Sequence, residues 1–463
     1  MDKTNDKIEE IPVKKNEEYE VEILDNGMEG EGIAKIKDFT IFVPGAIKGE
    51  VIKIAITKVT SSFAYARIVE IVKKSEYRIE PDCLSYKRCG GCNMRHIDYY
   101  ETLNMKKKIV ENIVCRNIGK DCKIKVNDVI GMGNPYNYRN KATFPFGINE
   151  NGEPSIGIYQ ERSHNIIHVE DCRIHNEFAQ QIASSIFKFA LENEIPFYNE
   201  NTKTGLLRNV IVKIGYKSHE EMVVLVVNGN KIPFQNDLVD MLVQTYGVES
   251  IILNVNTEDT NVILGPKNIN LHGDGHIFDV LGDFVFRISA KSFYQVNSVQ
   301  AEILYNKAIE MTNFSKDDIV FDLYCGIGTI GIFVSPLVKK VYGIEIVDDA
   351  IEDAKVNAAS NHVENIEFFV GDVENIFAKL LVEKSIMPDV VIVDPPRKGL
   401  DEETIQNLLA LEPKKITYIS CNPATLTRDI KMLSAKYETD YIQPVDMFPF
   451  TSHVESITVL KLK

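Results

Sequence analysis

Three short motifs in the last part of the chain combine carboxylic acids with a thiol. Asp394 opens an Asp-Pro-Pro-Arg-Lys-Gly run, Cys421 stands in Ser-Cys-Asn-Pro, and Glu455 closes Thr-Ser-His-Val-Glu; the first two follow apolar runs typical of buried strands. Open α/β sheets place ligand sites at the carboxyl ends of strands, so these side chains are expected at one edge. A thiol beside two acids predicts a covalent enzyme. An inert buried thiol and a solvated acid are the alternatives.

The region from 284 to the end of the chain alternates strand and helix patterns. Apolar runs at 319–323, 340–345, 366–370, 390–394 and 416–420 have strand length, and helical patterns start at 329 and span 349–360. This alternation predicts a parallel sheet covered by helices on both faces, which is a Rossmann-like α/β domain.

A glycine-rich turn follows the first of these strands. The run 326–331 reads Gly-Ile-Gly-Thr-Ile-Gly and matches the G-x-G-x-x-G fingerprint, which serves nicotinamide dinucleotides and, in a similar turn, S-adenosylmethionine. Glu345 after the second strand is placed to accept ribose hydroxyls in either case. Asp372 after the third strand suits an adenine amine, and Asp394 after the fourth would lie beside a methionyl group. The acids therefore predict a nucleotide-type site at this edge.

Four of the eight cysteines form a separate pattern. Cys83, Cys89 and Cys92 have C-x5-C-x2-C spacing in a glycine-bearing loop, and Cys172 lies eighty residues further on. A reducing compartment makes a disulfide framework unlikely to persist, so a metal group is the better reading. Three close thiolates and one remote thiolate favour an iron-sulfur cluster over structural zinc, which more often uses paired motifs, although zinc remains the alternative.

Composition bounds the location and the partners. The chain has 463 residues with 44% hydrophobic and 26% charged residues, and it contains no apolar run near the ~20 residues that span a bilayer, which predicts a cytoplasmic protein of two or three domains. Its net charge of -15 by itself argues against a nucleic-acid partner. Basic residues nevertheless outnumber acidic ones between Lys87 and Lys125, as either a phosphate-contacting face or a solvated helix surface.

The rest of the chain divides into two further units. Short β-rich runs separated by Gly- and Pro-bearing turns between 18 and 72 predict a small OB-like β-barrel, which either contacts oligonucleotides or acts as a spacer. Basic and aromatic residues interleave around 138–144, as expected for RNA contact or for cross-strand packing. We predict a barrel domain at 1–74, a central domain at 75–283 and a Rossmann-like domain at 284–463.

These features together resemble the RNA uracil-5-methyltransferase family, in its ribosomal branch. The resemblance covers nearly the whole chain in the expected order, and the last three motifs are highly specific. The matching pieces are the barrel, the four cysteines, Ser292-Phe293-Tyr294-Gln295-Val296-Asn297, Asp322-Leu323-Tyr324-Cys325-Gly326-Ile327-Gly328-Thr329, Asp394-Pro395-Pro396-Arg397-Lys398-Gly399, Ser420-Cys421-Asn422-Pro423 and Asp446-Met447-Phe448-Pro449-Phe450-Thr451-Ser452-His453-Val454-Glu455.

The resemblance implies a fold, two cofactors and a set of site residues. The fold would combine a Rossmann-like S-adenosylmethionine-dependent methyltransferase domain with an N-terminal TRAM β-barrel and a central α+β iron-sulfur domain. Cys421 would add to uracil C6 and Glu455 would remove the C5 proton. The other implied residues are Phe293 at the base, Gln295, Tyr324, Glu345, Asp372 and Asp394 at S-adenosylmethionine, and Cys83, Cys89, Cys92 and Cys172 at a [4Fe-4S] cluster.

The implied substrate is a uridine in 23S ribosomal RNA of the large subunit, because the barrel and the cluster together mark that branch; the enzyme is expected to be a monomer without a membrane partner. Transfer RNA is the near alternative, since some archaeal transfer-RNA enzymes retain a cluster. Two other classes stay open on the residues alone: a nicotinamide-dependent oxidoreductase using the glycine-rich turn, and a noncatalytic RNA-binding module. A cytosine-5 methyltransferase ranks third, because it would normally show a Pro-Cys motif.

Overall fold

The computed structural model describes residues 11–119, 121–149, 151–161, 163–169, 171–373, 376 and 386–463. Within these ranges no helix is both long enough and apolar enough to cross a membrane. The first ten residues of the predicted barrel domain lie outside the described part of the chain.

The N-terminal unit is a curved β-sheet with the strand order β1-β5-β6-β4-β3-β2. Its inward positions alternate with solvent-facing ones, and Ile41, Ile52, Ile54 and Ala64 are fully buried in its core. This alternation confirms the predicted small β unit. The strands are β1 (Glu18–Glu22), β2 (Asp25–Asn26), β3 (Gly32–Ile36), β4 (Phe39–Val43), β5 (Val51–Val59) and β6 (Phe63–Lys73).

The central region forms a mostly antiparallel sheet with the order β15-β14-β13-β12-β8-β9, against which two helices pack through an apolar core. Strand β13 is buried at every position. The elements are α1 (Tyr99–Asn117), β7 (Lys125–Val126), β8 (Lys141–Ile148), β9 (Pro154–Ile156), β10 (Ile158–Tyr159), β11 (Ile166–Ile167), α2 (Glu177–Glu192), β12 (Leu207–Ile214), β13 (Glu221–Val227), α3 (Gln235–Tyr246), β14 (Ser250–Val255) and β15 (Lys267–His272).

The third unit is built on a sheet whose order is β20-β19-β18-β21-β22-β25-β24-β7. The first five strands are parallel, as the alternating pattern predicted, and β25 then returns antiparallel to β22. The elements are β16 (His276–Leu281), β17 (Phe284–Ser289), α4 (Ser298–Thr312), β18 (Ile319–Leu323), α5 (Thr329–Val334), β19 (Lys340–Glu345), α6 (Asp348–Ser360), β20 (Ile366–Val370), β21 (Val390–Val393), α7 (Glu402–Leu411), β22 (Lys415–Ser420), α8 (Pro423–Leu433), β23 (Tyr437–Glu438), β24 (Tyr441–Val445) and β25 (Glu455–Leu462).

Two elements of the central region pack on the third unit. Helix α1 buries Val110 and Val114 in the same core as Leu426 of α8, and Asn117 Nδ2 donates to Thr427 Oγ1 at 2.8 Å. Strand β7 extends the third sheet by pairing in parallel with β24. The hairpin β16–β17 also spans the predicted 283/284 boundary. The three predicted domain boundaries therefore stay a prediction. The third sheet and the elements packed on it include residues from both sides of the 283/284 boundary.

Candidate active site

An antiparallel strand pair brings the predicted thiol and the predicted base to one place. The ladder between β22 and β25 ends with Ser420 opposite Ser456, so the next facing positions are Cys421 and Glu455. Facing residues in such a pair have Cα atoms about 4.5 to 5.5 Å apart. Asp394 follows the neighbouring strand β21 and reaches the same edge. Asp394, Cys421 and Glu455 therefore lie at one edge of the sheet, although the thiol and the predicted base are 34 positions apart in the sequence.

Burial and mutual repulsion disfavour the ionised forms of the two carboxyl groups at this edge. Burial raises the pKa of Asp394 to about 7. Burial, and then the nearby charge of Asp394, raises the pKa of Glu455 well above its usual value, while the Arg397 guanidinium acts in the opposite direction. An additional positive charge in this site would favour the ionised carboxylates, because opposite charges stabilise one another.

The thiol responds to the same surroundings. Burial, and then the charges of Glu455 and Asp394, raise the pKa of Cys421 to about 11, while the Arg397 guanidinium acts in the opposite direction. The thiol form consequently dominates at neutral pH until a cation enters or a carboxylate accepts its proton.

Helix α8 ties the two catalytic loops together. Its N-cap residue Asn422 accepts from Ala424 N at 3.0 Å through Oδ1 and donates from Nδ2 to the Arg397 carbonyl oxygen at 3.1 Å. Thr425 Oγ1 donates to the same carbonyl at 3.3 Å. Because the cap of α8 follows Cys421 directly, the loop after β21 and the loop after β22 are fixed relative to each other.

The glycine-rich turn lies at the same edge, against Glu345. Tyr324, Gly326 and Gly328 have φ values of +66°, +54° and +79°. Gly326 N donates to Glu345 Oε2 at 3.1 Å, and Val347 N donates to Oε1 at 3.0 Å. A Cβ atom on Gly328 would stand 2.8 Å from the Phe368 ring, so the turn requires glycine there.

The remaining predicted residues stand around this turn. Asp372 is exposed just beyond the end of β20, next in the sheet to the strand that ends at Glu345. Phe293 exposes 66% of its surface between β17 and α4, so its ring is available for contact. Asn140 Nδ2 donates to the Gln295 carbonyl oxygen at 2.8 Å and fixes the segment that carries both Phe293 and Gln295.

Three residues outside the predicted set also face the site. Asp322 is completely buried, accepts from Gly331 N at 2.9 Å, and has its pKa raised to about 7 by burial. The hydroxyl oxygen of Tyr305 in α4 lies 3.5 Å from Thr329 Oγ1. Burial and then the charge of Asp394 raise the pKa of this hydroxyl. Arg397 affects both the thiol and the base. Asp322 and Arg397 lie inside quoted motifs that could have identified them, whereas Tyr305 gave no signal because it looks like any apolar-face aromatic of a helix.

The four predicted cluster cysteines line one cavity of about 320 Å³. Within the described ranges, no group of three or more Cys, His, Asp or Glu side chains is already close enough to hold a metal ion. Burial raises the pKa of Cys92 to about 12. The four cysteines that line this cavity are Cys83, Cys89, Cys92 and Cys172.

The cavity also presents hydrogen-bond donors that suit an anionic sulfur group. Gly91 N already donates to Cys89 Sγ at 3.3 Å. Arg95 and His175 line the cavity, and the two terminal nitrogens of Arg95 and Nδ1 of His175, which donates in one tautomer of the neutral ring, have no hydrogen-bond partner among the described residues. Thiolates and sulfides accept such bonds, so the donor set fits an iron-sulfur cluster.

A second cavity of about 380 Å³ lies between the barrel and the segment just before Glu455. The barrel contributes Glu29–Glu31 and Pro44–Gly45. The loop that carries Cys83, Cys89 and Cys92, which we call the cysteine loop, contributes Gly90–Asn93. Thr451 and His453, just before Glu455, complete the opposite wall. A ligand that enters the active site from this side therefore passes the barrel and the cysteine loop.

Comparison with known proteins gives two matched families. Residues 277–463 match the family described as tRNA (Uracil-5-)-methyltransferase, and residues 12–69 match the TRAM domain. A protein of Clostridium acetobutylicum described as an RNA methyltransferase is 46% identical over 97% of this chain and 98% of its own length. A Staphylococcus aureus protein with the same description is 44% identical over 97% and 99%.

One solved structure extends the comparison to the whole fold. It is the Pyrococcus abyssi tRNA (uracil-54, C5)-methyltransferase in complex with S-adenosyl-L-homocysteine. The similarity has a TM-score of 0.76 at 26% identity and covers 96% of this chain and 100% of that one.

Proposed function

The chain belongs to the RNA uracil-5-methyltransferase family, with a TRAM domain and an S-adenosylmethionine-dependent methyltransferase fold, and from this premise we propose that it methylates C5 of a specific uridine in 23S ribosomal RNA. The observation that carries the proposed chemistry is the strand register that sets Cys421 opposite Glu455 beside Asp394. Family membership favours methyl transfer to RNA over a nicotinamide-dependent oxidoreductase or a noncatalytic RNA-binding module.

The proposed reaction begins with Cys421. Its thiolate adds to C6 of uracil, and the electrons of the C5–C6 double bond move toward O4, which makes C5 nucleophilic. C5 then takes the methyl group from the sulfonium of S-adenosylmethionine, and S-adenosylhomocysteine leaves. Glu455 removes the remaining C5 proton, the double bond re-forms and the Cys421 thiolate is expelled. The target base has to leave its stack to reach the thiol, so a loop or opened RNA is the expected substrate.

The cofactor supplies a charge as well as a methyl group. When bound with its sulfonium beside Asp394, S-adenosylmethionine would favour the ionised forms of Asp394 and Glu455 and would offset the effect of burial on their pKa values. Arg397 acts on Cys421 in the same direction. We propose that the site becomes reactive only when S-adenosylmethionine is bound.

The binding roles follow the positions around the glycine-rich turn. Glu345 would accept the ribose hydroxyls after exchanging its present backbone donors, and Asp372 would face the adenine amine. The exposed Phe293 ring would stack on the flipped uracil. The complete proposed set for S-adenosylmethionine is Gln295, Tyr324, Glu345, Asp372 and Asp394.

We further propose that Cys83, Cys89, Cys92 and Cys172 hold a [4Fe-4S] cluster. When bound, the cluster would tie the cysteine loop to the segment near Cys172. The protein purified without oxygen is expected to contain about four iron atoms per chain. Cys92→Ser should lower the iron content sharply, and Cys115→Ser, which changes an exposed thiol of α1, should leave it unchanged. Zinc in place of iron and sulfide would overturn the cluster.

The choice of ribosomal RNA rests on the combination of the barrel with the four-cysteine cavity. Transfer RNA is the second candidate, because the similar Pyrococcus structure is of a tRNA (uracil-54, C5)-methyltransferase. We propose that the protein is a monomer whichever of the two RNAs is its substrate.

A trapping experiment separates the candidates. Glu455→Gln protein is incubated with unmodified ribosomal RNA or transfer RNA and with S-adenosylmethionine that carries a labelled methyl group, followed by a denaturing gel. A labelled protein-RNA band with ribosomal RNA that is lost in the Cys421→Ala, Glu455→Gln double variant supports the proposal. A band with transfer RNA alone would keep the mechanism and overturn the substrate. No band with either RNA would contradict the covalent reaction.

A further inference from the structure

The loop 446–454 joins β24 to β25 and delivers Glu455, so we call it the base-bearing loop. It contains a strained turn, because Phe450 has a φ of +64°, which a bulky residue adopts only under constraint. Such a conformation costs on the order of 1 to 3 kcal/mol and persists only when surrounding contacts hold it. The position of Glu455 therefore depends on the residues that contact this loop and stabilise its conformation.

Helix α1 grips the first half of the loop. Lys106 Nζ donates to Asp446 Oδ1 at 2.5 Å and to the Phe448 carbonyl oxygen at 3.1 Å, and both charged side chains are fully buried. Tyr99 OH donates to Asp446 Oδ2 at 2.9 Å. These contacts end four residues or more before Ser452, so the second half requires another support.

The cysteine loop grips the second half. Asn93 accepts from Ser452 N at 2.9 Å through Oδ1, and its Nδ2 donates to Ser452 Oγ at 3.0 Å. The same Nδ2 donates to the Glu29 carbonyl oxygen of the barrel at 2.7 Å. Next to it, Met94 N donates to the Phe450 carbonyl oxygen at 3.0 Å, and the Arg95 guanidinium lies 4.2 Å from the centre of the Phe450 ring. Asn93 thus joins the barrel, the cysteine loop and the base-bearing loop.

We propose that Asn93 is a positioning residue for Glu455 and acts on the proton-removal step. The inference rests on the proposed function. Ser452 is three residues before Glu455, whose other side is fixed by pairing with Val445 in the sheet. Loss of the paired bonds to Ser452 frees the strained turn to relax and moves the carboxylate away from the C5 proton. Cys421 follows β22 directly and has no contact with Asn93 among the hydrogen bonds described, so thiolate addition and methyl transfer continue.

The predicted signature is a covalent intermediate that resolves slowly. In single-turnover reactions with labelled S-adenosylmethionine and RNA, Asn93→Ala should transfer the methyl group within about twofold of the wild-type rate, while release of methylated RNA slows about tenfold, as expected for loss of two hydrogen bonds. A labelled protein-RNA band should therefore accumulate transiently on a denaturing gel. A general structural defect would instead slow both steps or change only the binding of RNA.

Two further variants separate the contacts of Asn93. Asn93→Asp keeps an acceptor for Ser452 N, and its second carboxylate oxygen can accept from the Ser452 hydroxyl, whereas the donor to Glu29 is lost. It should therefore release methylated RNA at close to the wild-type rate if the base-bearing loop is what matters. Ser452→Ala removes one of the two bonds and should give a smaller delay. Asn228→Ala is the matched control, because its Nδ2 donates to the Gly205 carbonyl oxygen in the central sheet, away from this loop. It should resolve the intermediate normally.

The outcomes are distinguishable from failure of the proposed function. Glu455→Gln protein is run in parallel, and the absence of any adduct there would overturn the covalent reaction itself. If Glu455→Gln traps the adduct while Asn93→Ala and Ser452→Ala resolve it at the wild-type rate, only the role of Asn93 is overturned. An Asn93→Asp protein as slow as Asn93→Ala would assign the effect to the barrel contact instead and would equally overturn the proposal.

Discussion

At the scale of single residues, the reactivity of Cys421 depends on the charges around it. Burial raises the pKa of the thiol to about 11, while Asp394 and Glu455 compete for protons beside it. In the ligand-free protein the thiol form of Cys421 therefore predominates at neutral pH. A sulfonium bound in this site would favour the ionised forms of the two buried acids, because opposite charges stabilise one another. On the proposed function, binding of the methyl donor would thus change the protonation of the groups around the nucleophile.

Asp322 provides a test of this electrostatic cost. Its pKa is raised from 3.8 to about 7 by burial, so the folded state binds the proton more tightly than the unfolded state. The stability that this proton contributes is complete below the unfolded pKa and is lost as pH rises toward 7. Between about pH 6 and about pH 8 the ligand-free protein should lose about 1 kcal/mol of stability through this residue. Asp322→Asn should remove that loss in thermal unfolding measured at both pH values.

The control for Asp322 is an exposed acid of the same site. Asp372→Asn should leave the pH dependence of unfolding as it is in the wild type, because Asp372 is solvated. An Asp322→Asn protein whose stability falls with pH as steeply as the wild type would contradict a buried, protonated Asp322.

The sequence indicated where Cys421 and Glu455 lie in the fold better than it indicated the residues that support them. Motif position sufficed for Cys421 and Glu455, because each follows or begins a strand whose end is recognisable. Asn93 and Tyr305 could not be found in this way. Their roles come from contacts between segments that are hundreds of residues apart or on a helix, and a local pattern carries no information about such contacts.

At the scale of elements, the active site depends on one reversal of strand direction. The parallel order of β18 to β22 followed from the alternation of strands and helices. The antiparallel insertion of β25 beside β22 did not, although it alone sets the base opposite the thiol. Its register is set by side chains buried along both strands rather than by a turn signal. The packing of helix α1 on this sheet likewise gave no signal in the local sequence pattern.

Helix α1 should contribute strongly to stability through one buried ion pair. Lys106→Met removes the charged partner of Asp446 and leaves its buried carboxylate with the Tyr99 hydroxyl as a donor but with no neutralising cation from Lys106. Breaking such a pair costs about 3 kcal/mol or more. We expect a clearly lower midpoint in chemical denaturation and weaker resolution of the covalent intermediate, since the base-bearing loop loses its first support.

The neighbouring lysine is the matched control. Lys107 pairs with the exposed Asp128 at 2.7 Å, and exposed pairs contribute at most about 1 kcal/mol. Lys107→Met should therefore unfold close to the wild-type midpoint. Equal losses from both substitutions would show that the Lys106–Asp446 pair does not anchor the loop.

At the scale of the whole molecule, a protein with a net negative charge has to bind RNA, which is itself negatively charged. The basic stretch from Lys87 to Lys125 is not a continuous RNA surface, because Arg95 and Lys106 are buried in ion pairs. The barrel offers a second kind of contact. Phe42, Phe63 and Tyr65 form a partly exposed ring cluster on its outward face, with centroids 5.5 to 5.7 Å apart. Base stacking on such rings needs little positive charge.

The barrel rings should affect RNA binding without affecting the chemistry. Tyr65→Ala should raise the Kd for substrate RNA about tenfold, as expected for the loss of one stacked base, and leave kcat at saturating RNA unchanged. Fluorescence titration and steady-state kinetics measure the two quantities. Tyr216→Ala, at an exposed tyrosine of the central region, is the control. An unchanged Kd in Tyr65→Ala would remove this face from the RNA path.

The central claim is that Cys421 bonds to the substrate during methyl transfer, and RNA containing 5-fluorouridine at the target position tests it most directly. Fluorine at C5 leaves no proton for Glu455 to remove, so the wild-type protein should stop as a stable, methylated adduct. Mass spectrometry of the digested adduct should place the uridine on Cys421, and Cys421→Ala should give none. Methyl transfer to ordinary RNA together with no adduct on fluorinated RNA, or an adduct on another residue, would contradict the account.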